Sequence, residues 1–99
     1  MLFSIHCLDR EGALQTRLDN YDAHRAHLNS TTTTIVLAGP VVADDGETPV
    51  GSMFVIDAAN RAEADAFNRA DPFYELGVWD RDSIRIHPLL KRRGWLNGY

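Results

Sequence analysis

Between Gly12 and Leu28 the apolar residues recur at helical spacing. Leu14, Leu18, Tyr21 and Leu28 fall within one stripe of a single amphipathic helix. At roughly 100° per residue, with Leu14 at zero, Leu18 sits at about +40°, Tyr21 at about −20° and Leu28 at about −40°. That stripe is the expected buried face. Arg17 at about −60° and His24 at about −80° lie side by side on its margin, while His27 at about −140° points away. Asp9 or Gly12 is available near the helix cap.

Around this helix the pattern changes to a period of two. Leu2 to Leu8 alternates Phe3, Ile5 and Cys7 with Leu2, Ser4, His6 and Leu8, a short strand with two fairly apolar faces. Asn29-Ser30 ends the helix, and the β-branched run from Thr31 to Leu37 suits a strand. Gly39-Pro40 interrupts it, which implies an edge or a bulge. Asp44-Asp45-Gly46-Glu47 forms a hairpin turn into a strand over 51–57. Asn60 and Glu63 make a capping box for a second helix that runs to about Ala70 and buries Ala66, Phe67 and Ala70. Asp71-Pro72 starts a new turn that Gly77 closes. Arg81 to His87 alternates Ile84 and Ile86 with Arg85 and His87, giving a fourth strand.

The resulting order, βαββαβ, folds with right-handed crossovers into an α+β, ferredoxin-like sandwich: a four-stranded antiparallel sheet with both helices on one face. The other sheet face keeps apolar side chains with no helix to cover it. A homodimer with sheets packed face to face would cover it.

Composition narrows the classes. Ninety-nine residues, 44% hydrophobic and 24% charged, make one globular domain over 1–99, with 89–99 as a C-terminal tail. A net charge of −4 argues against nucleic acid, whose phosphates need a cationic face. Cys7 is the only cysteine, so no intrachain disulfide and no cysteine zinc site is expected. The segment MLFSIHCLDRE has neither a basic leader nor an apolar run long enough for a signal peptide, and no stretch approaches the ~20 residues of a membrane span. A cytoplasmic protein is expected.

Several segments, in order along nearly the whole chain, resemble the YciI-related family of the dimeric α+β barrel superfamily. They are the first strand with Asp9, the helix segment from Ala23 to Leu28, Leu37-Ala38-Gly39-Pro40, Gly51-Ser52-Met53, Ala70-Asp71-Pro72-Phe73 and Gly77-Val78. The resemblance implies a catalytic His–Asp pair, with the helix histidine at His24, four residues before Leu28, and the aspartate at Asp71. It also implies a dimeric barrel, and relatives include enzymes of dehydrochlorination and isomerisation. The chain departs from the family in Glu11, where proline is common, and in Thr31 to Thr34, where a more polar turn is typical.

Histidine takes or gives a proton near neutrality with little tuning. A carboxylate on one ring nitrogen fixes the tautomer and makes the other a better base. His24 with Asp71 suits this pairing. A half-buried helix histidine with a backbone partner is the plainer alternative for His24, and a simple N-cap before Pro72 is the plainer alternative for Asp71. Arg17 suits an anionic substrate group, with a simply solvated arginine as its plainer alternative, and Ser52 is a candidate donor into the pocket. His24-x-x-His27 has a spacing met among metal ligands, with His6 and His87 as further candidates. The two helix rings point about 60° apart, however, and no acidic or cysteine ligand joins them by motif. Neither a metal nor an organic cofactor is expected, since phosphate loops, Gly-x-Ser-x-Gly elbows and dinucleotide fingerprints are absent. Lys91-Arg92-Arg93 beside Trp95 and Tyr99 reads as a solvated end or a clasp on a partner. Two functions remain open: proton transfer on a small anionic or aromatic metabolite, and non-catalytic binding of a small ligand.

Overall fold

The structure, a computed structural model, describes residues 1–95 and 98–99; of the tail expected over 89–99, Leu96 and Asn97 lie outside the described residues. The strands are β1 (Leu2–Leu8), β2 (Thr34–Val42), β3 (Pro49–Asp57) and β4 (Arg85–Leu89). The helices are α1 (Leu14–Asp19), α2 (Tyr21–Ser30), α3 (Arg61–Ala70) and α4 (Pro72–Glu75), with a 3-10 turn over Arg81–Ser83. The sheet order is β2-β3-β1-β4, every neighbouring pair antiparallel, and the fold is the ferredoxin-like α+β sandwich. Among the described residues no helix is long and apolar enough to cross a membrane.

Register divides the sheet into two faces. Phe3, Ile5 and Cys7 stand opposite Ile56, Phe54 and Ser52. The first five join Ala64 and Phe67 of α3, Phe73 of α4, and Val78 and Trp79 to form the core. The other face carries Ser4 opposite Val55 and His6 opposite Met53. Leu37 stands opposite Val55 on the same face, past a bulge between Ile35 and Leu37. Pro40 lies on β2, an edge strand, where its missing N–H disrupts no ladder.

Local chemistry set most boundaries, with instructive shifts. Asn60 caps α3 by accepting from the Glu63 N–H at 3.0 Å, and Glu63 reaches back to the Ala59 N–H at 2.9 Å. The buried line of α3 is Ala64, Phe67 and Asn68. Ala66 and Ala70, expected inside, are exposed. Asn68 is buried because its amide donates to Cys7 Sγ at 3.5 Å. The strand expected from Thr31 begins at Thr34, and the one expected from Gly51 begins at Pro49. The strand expected from Arg81 begins at Arg85 because Asp80 caps the 3-10 turn through the Asp82 N–H.

The largest correction concerns the first helix. Asn20 breaks it into α1 and α2, with its side-chain amide donating to the Thr16 carbonyl at 2.8 Å. Neither Asp9 nor Gly12 caps it: the N-cap is Ala13, with no side-chain bond. Leu28 of the expected buried stripe packs against the core, but Leu14, Leu18 and Tyr21 are turned outward at 41%, 54% and 49% exposure, whereas Arg17 is 3% and His24 8% exposed. Each buried polar group has a specific acidic partner, and that pairing rotates the helix away from its apolar moment.

Candidate active site

Two buried polar pairs tie α1 and α2 to the rest of the fold, the ion pair Arg17–Asp9 and the hydrogen-bonded pair His24–Asp71. Arg17 binds Asp9 through two bonds, Nε to Oδ2 at 2.7 Å and Nη2 to Oδ1 at 2.9 Å. Its Nη2 also reaches the Gly51 carbonyl at 2.8 Å and Ser52 Oγ at 2.7 Å. Ser52 Oγ accepts a second bond from Trp79 Nε1 at 3.1 Å. This guanidinium thus joins α1 to β1 and β3, with its charge balanced and most of its donors used. Removing one partner from such a buried pair leaves an uncompensated charge and costs about 3–5 kcal/mol.

The second pair is His24 with Asp71. Asp71 is the N-cap of α4, its Oδ1 accepting from the Phe73 N–H at 2.9 Å, with Pro72 at the first helical position. His24 Nδ1 stands 2.9 Å from the same Oδ1 and 2.8 Å from Oδ2. The bond is aligned on Oδ1, and Oδ2 has no hydrogen-bond partner among the described residues. A carboxylate can only accept, so Nδ1 carries the proton and Nε2 is the free nitrogen of the neutral ring. The imidazole also lies flat on Phe73, with ring centres 4.1 Å apart and planes within 3°.

His24 and Arg17 both border a cavity of about 400 Å³, whose other walls include Leu18, Tyr21, Leu28 and Pro40. The apolar stripe that faces out of the core therefore lines this space. A wider hollow of about 610 Å³ lies elsewhere, between Thr31–Thr34, Ala59 and Phe67. His27 borders that one, its Nε2 buried and without a partner among the described residues. The smaller cavity is the candidate site, because the Asp71-bonded His24 borders it.

Each expected site residue has a definite place. His24, Asp71 and Arg17 converge on one side of α1–α2. Ser52 is sealed behind Arg17, 2% exposed, and does not border the cavity. His24 and His27 face different spaces, and among the described residues no three His, Cys, Asp or Glu side chains gather as a ligand set. Sequence reasoning missed Asp9 as the partner of Arg17, Trp79 as the second donor to Ser52, and Phe73 as the platform of His24. No local signal marks the first two; Phe73 stood beside the Asp-Pro step. Burial pushes the Cys7 thiol up to about 12, so it stays protonated and is no nucleophile.

A solved relative shares this fold. The solved 5-chloro-2-hydroxyhydroquinone dehydrochlorinase (TftG) of Burkholderia phenoliruptrix AC1100, in complex with 2,5-dihydroxybenzoquinone, superposes with a TM-score of 0.80 at 33% identity, covering 91% of this chain and 94% of that one. Protein YciI of Escherichia coli O6:H1 is 29% identical over 92 residues, 86% of this chain and 94% of that protein. Protein YciI of Shigella flexneri matches to the same extent. The YCII-related domain pattern matches residues 1–86, and the chain belongs to that family.

Proposed function

We propose that this protein is an enzyme in which His24 transfers a proton, Asp71 orients it, and the cavity beside α1 and α2 holds a small anionic or aromatic substrate. The observation that carries this reading is the contact of His24 Nδ1 with the Asp71 carboxylate, 2.9 Å long, at the edge of a cavity. Nε2 would take a proton from the substrate, and the electron pair left behind would form a new double bond. In an elimination a leaving anion departs with its own pair; in an isomerisation the proton is returned elsewhere. The dehydrochlorination named for the 33% identical neighbour is the elimination we favour, with a chlorinated hydroxyhydroquinone as first probe. The step uses this chain's own groups and asks for no cofactor. Arg17, its charge balanced by Asp9, would form part of the wall against the substrate instead of a free anion clamp, and Ser52 would hold Arg17 in place instead of touching the substrate. The same reading includes a cytoplasmic homodimer joined through the outer sheet face.

The test compares wild type with His24→Gln. His24 lies at the edge of the core, so the variant should fold. It should still bind 2,5-dihydroxybenzoquinone, while turnover of 5-chloro-2-hydroxyhydroquinone falls by about 10²–10⁴. Turnover at the wild-type level without His24 rejects the mechanism. Binding by wild type with no turnover of any quinol favours the second function, a non-catalytic ligand-binding module.

A further inference from the structure

We propose that Phe73 is a positioning residue for His24: its ring fixes the imidazole plane so that Nε2, the nitrogen left free by Asp71, stays turned to the cavity. This rests on the proton-transfer reading for its purpose, though not for its geometry. One hydrogen bond at Nδ1 fixes one atom of the ring, and the final torsion of a histidine is broad. A flat stack at 4.1 Å with planes within 3° supplies the missing restraint. The platform is itself held on every side. Phe73 is fully buried. Its N–H donates to Asp71 Oδ1, and its carbonyl accepts from the Val78 N–H at 3.1 Å and the Trp79 N–H at 3.4 Å. Its ring meets Trp79 edge-on at 6.0 Å, and the Arg17 guanidinium carbon lies over it at 4.8 Å.

Asp71 and Phe73 are separated only by Pro72, whose ring fixes its own φ and holds Asp71 extended. One short rigid turn thus delivers both restraints on His24, the carboxylate for the nitrogen and the ring for the plane. A displacement of about 1 Å at a reacting group can lower a rate by about 10²-fold, so a restraint on the plane bears on turnover as well as on order. The Phe73 ring contacts both His24 and the Arg17 guanidinium, so one aromatic ring links the two buried pairs.

The test reads the His24 ring by nitrogen and proton NMR in histidine-labelled protein without substrate. In wild type the neutral ring should show a single Nδ1–H tautomer, with ring protons displaced upfield by Phe73. Phe73→Leu should leave the Nδ1–H tautomer, which Asp71 holds, and free the ring plane, so that the nuclear Overhauser contacts of the His24 ring protons to the cavity walls spread and weaken. Phe73→Tyr, which keeps the ring, should retain the wild-type ring-proton contacts. Phe73→Met serves where Leu fails to fold. Averaged ring-proton contacts in wild type, or an unchanged set of contacts in the ringless variants, overturns the proposal. The readout needs no turnover. A His24 fixed by Phe73 in a protein whose His24→Gln variant keeps its rate would therefore uphold the positioning and remove only the acid–base role.

Discussion

Asp71 carries two duties on one oxygen, and substitution separates them. Oδ1 accepts from the Phe73 N–H as a helix cap and faces His24 Nδ1. In Asp71→Asn the amide oxygen can keep the cap, since Asn caps about as well as Asp. Its NH₂ then meets Nδ1, which must become the acceptor, and the ring turns to the other tautomer. Stability should change by about 1 kcal/mol or less, while turnover of the quinol probe falls tenfold or more, roughly as tautomer defects do in triads. Equal losses of melting stability and rate would show capping to be the only role. Cys7 gives a second residue-scale expectation. Burial raises its thiol from 9.0 to about 12, so the folded state disfavours the thiolate. Its contribution to stability is complete below about 9.0 and is lost as pH rises toward 12. Denaturant melts should therefore decline more steeply above pH 9.0 in wild type than in Cys7→Ala, and native Cys7 should resist alkylation. Parallel alkaline profiles would remove the thiol from the account.

At the scale of elements, β1 and β3 approach so closely at Gly51 that a Cβ there would collide with the Cys7 carbonyl oxygen. The collision is with backbone on both sides, so Gly51→Ala should cost about 1–3 kcal/mol or more in a chemical melt. It should also disturb Arg17, which donates to the Gly51 carbonyl. A neutral substitution would mean that the strands can part. The four strands and the caps of α3 and α4 were legible because their causes are local, although three strand starts and the cap of α1 were not. Asn60 with Glu63, Asp71 with Pro72, and the alternation of Phe3, Ile5 and Cys7 need no knowledge of distant partners. The orientation of α1 and α2 was illegible for the opposite reason. Arg17 finds Asp9 eight residues away and His24 finds Asp71 forty-seven away; periodicity puts both only on the margin of the stripe. The contact of His24 with Asp71 was legible through the family likeness, but Phe73 beneath it was not, because a stack leaves no spacing in the chain.

Over the whole molecule, the helices cover one sheet face only. The other presents Leu37 and Met53 at 48% and 37% exposure around a buried Val55. If that face joins two copies, light scattering should give about twice 11.1 kDa. Met53→Arg should release the single chain, because the added charge would be stranded in an apolar interface. A wild-type particle of one chain across micromolar concentrations would reject this. The strand order also bears on how the polypeptide could be rewired. Leu2 pairs with Leu89 on neighbouring strands, so the first and last strands finish side by side. The turn from Asp44 to Glu47 is fully at the surface. Joining the ends through the tail and opening the chain in that turn would give a circular permutant with every helix uncut. It should refold and retain the His24–Asp71 contact, even though the two residues would then come in reverse order along the chain.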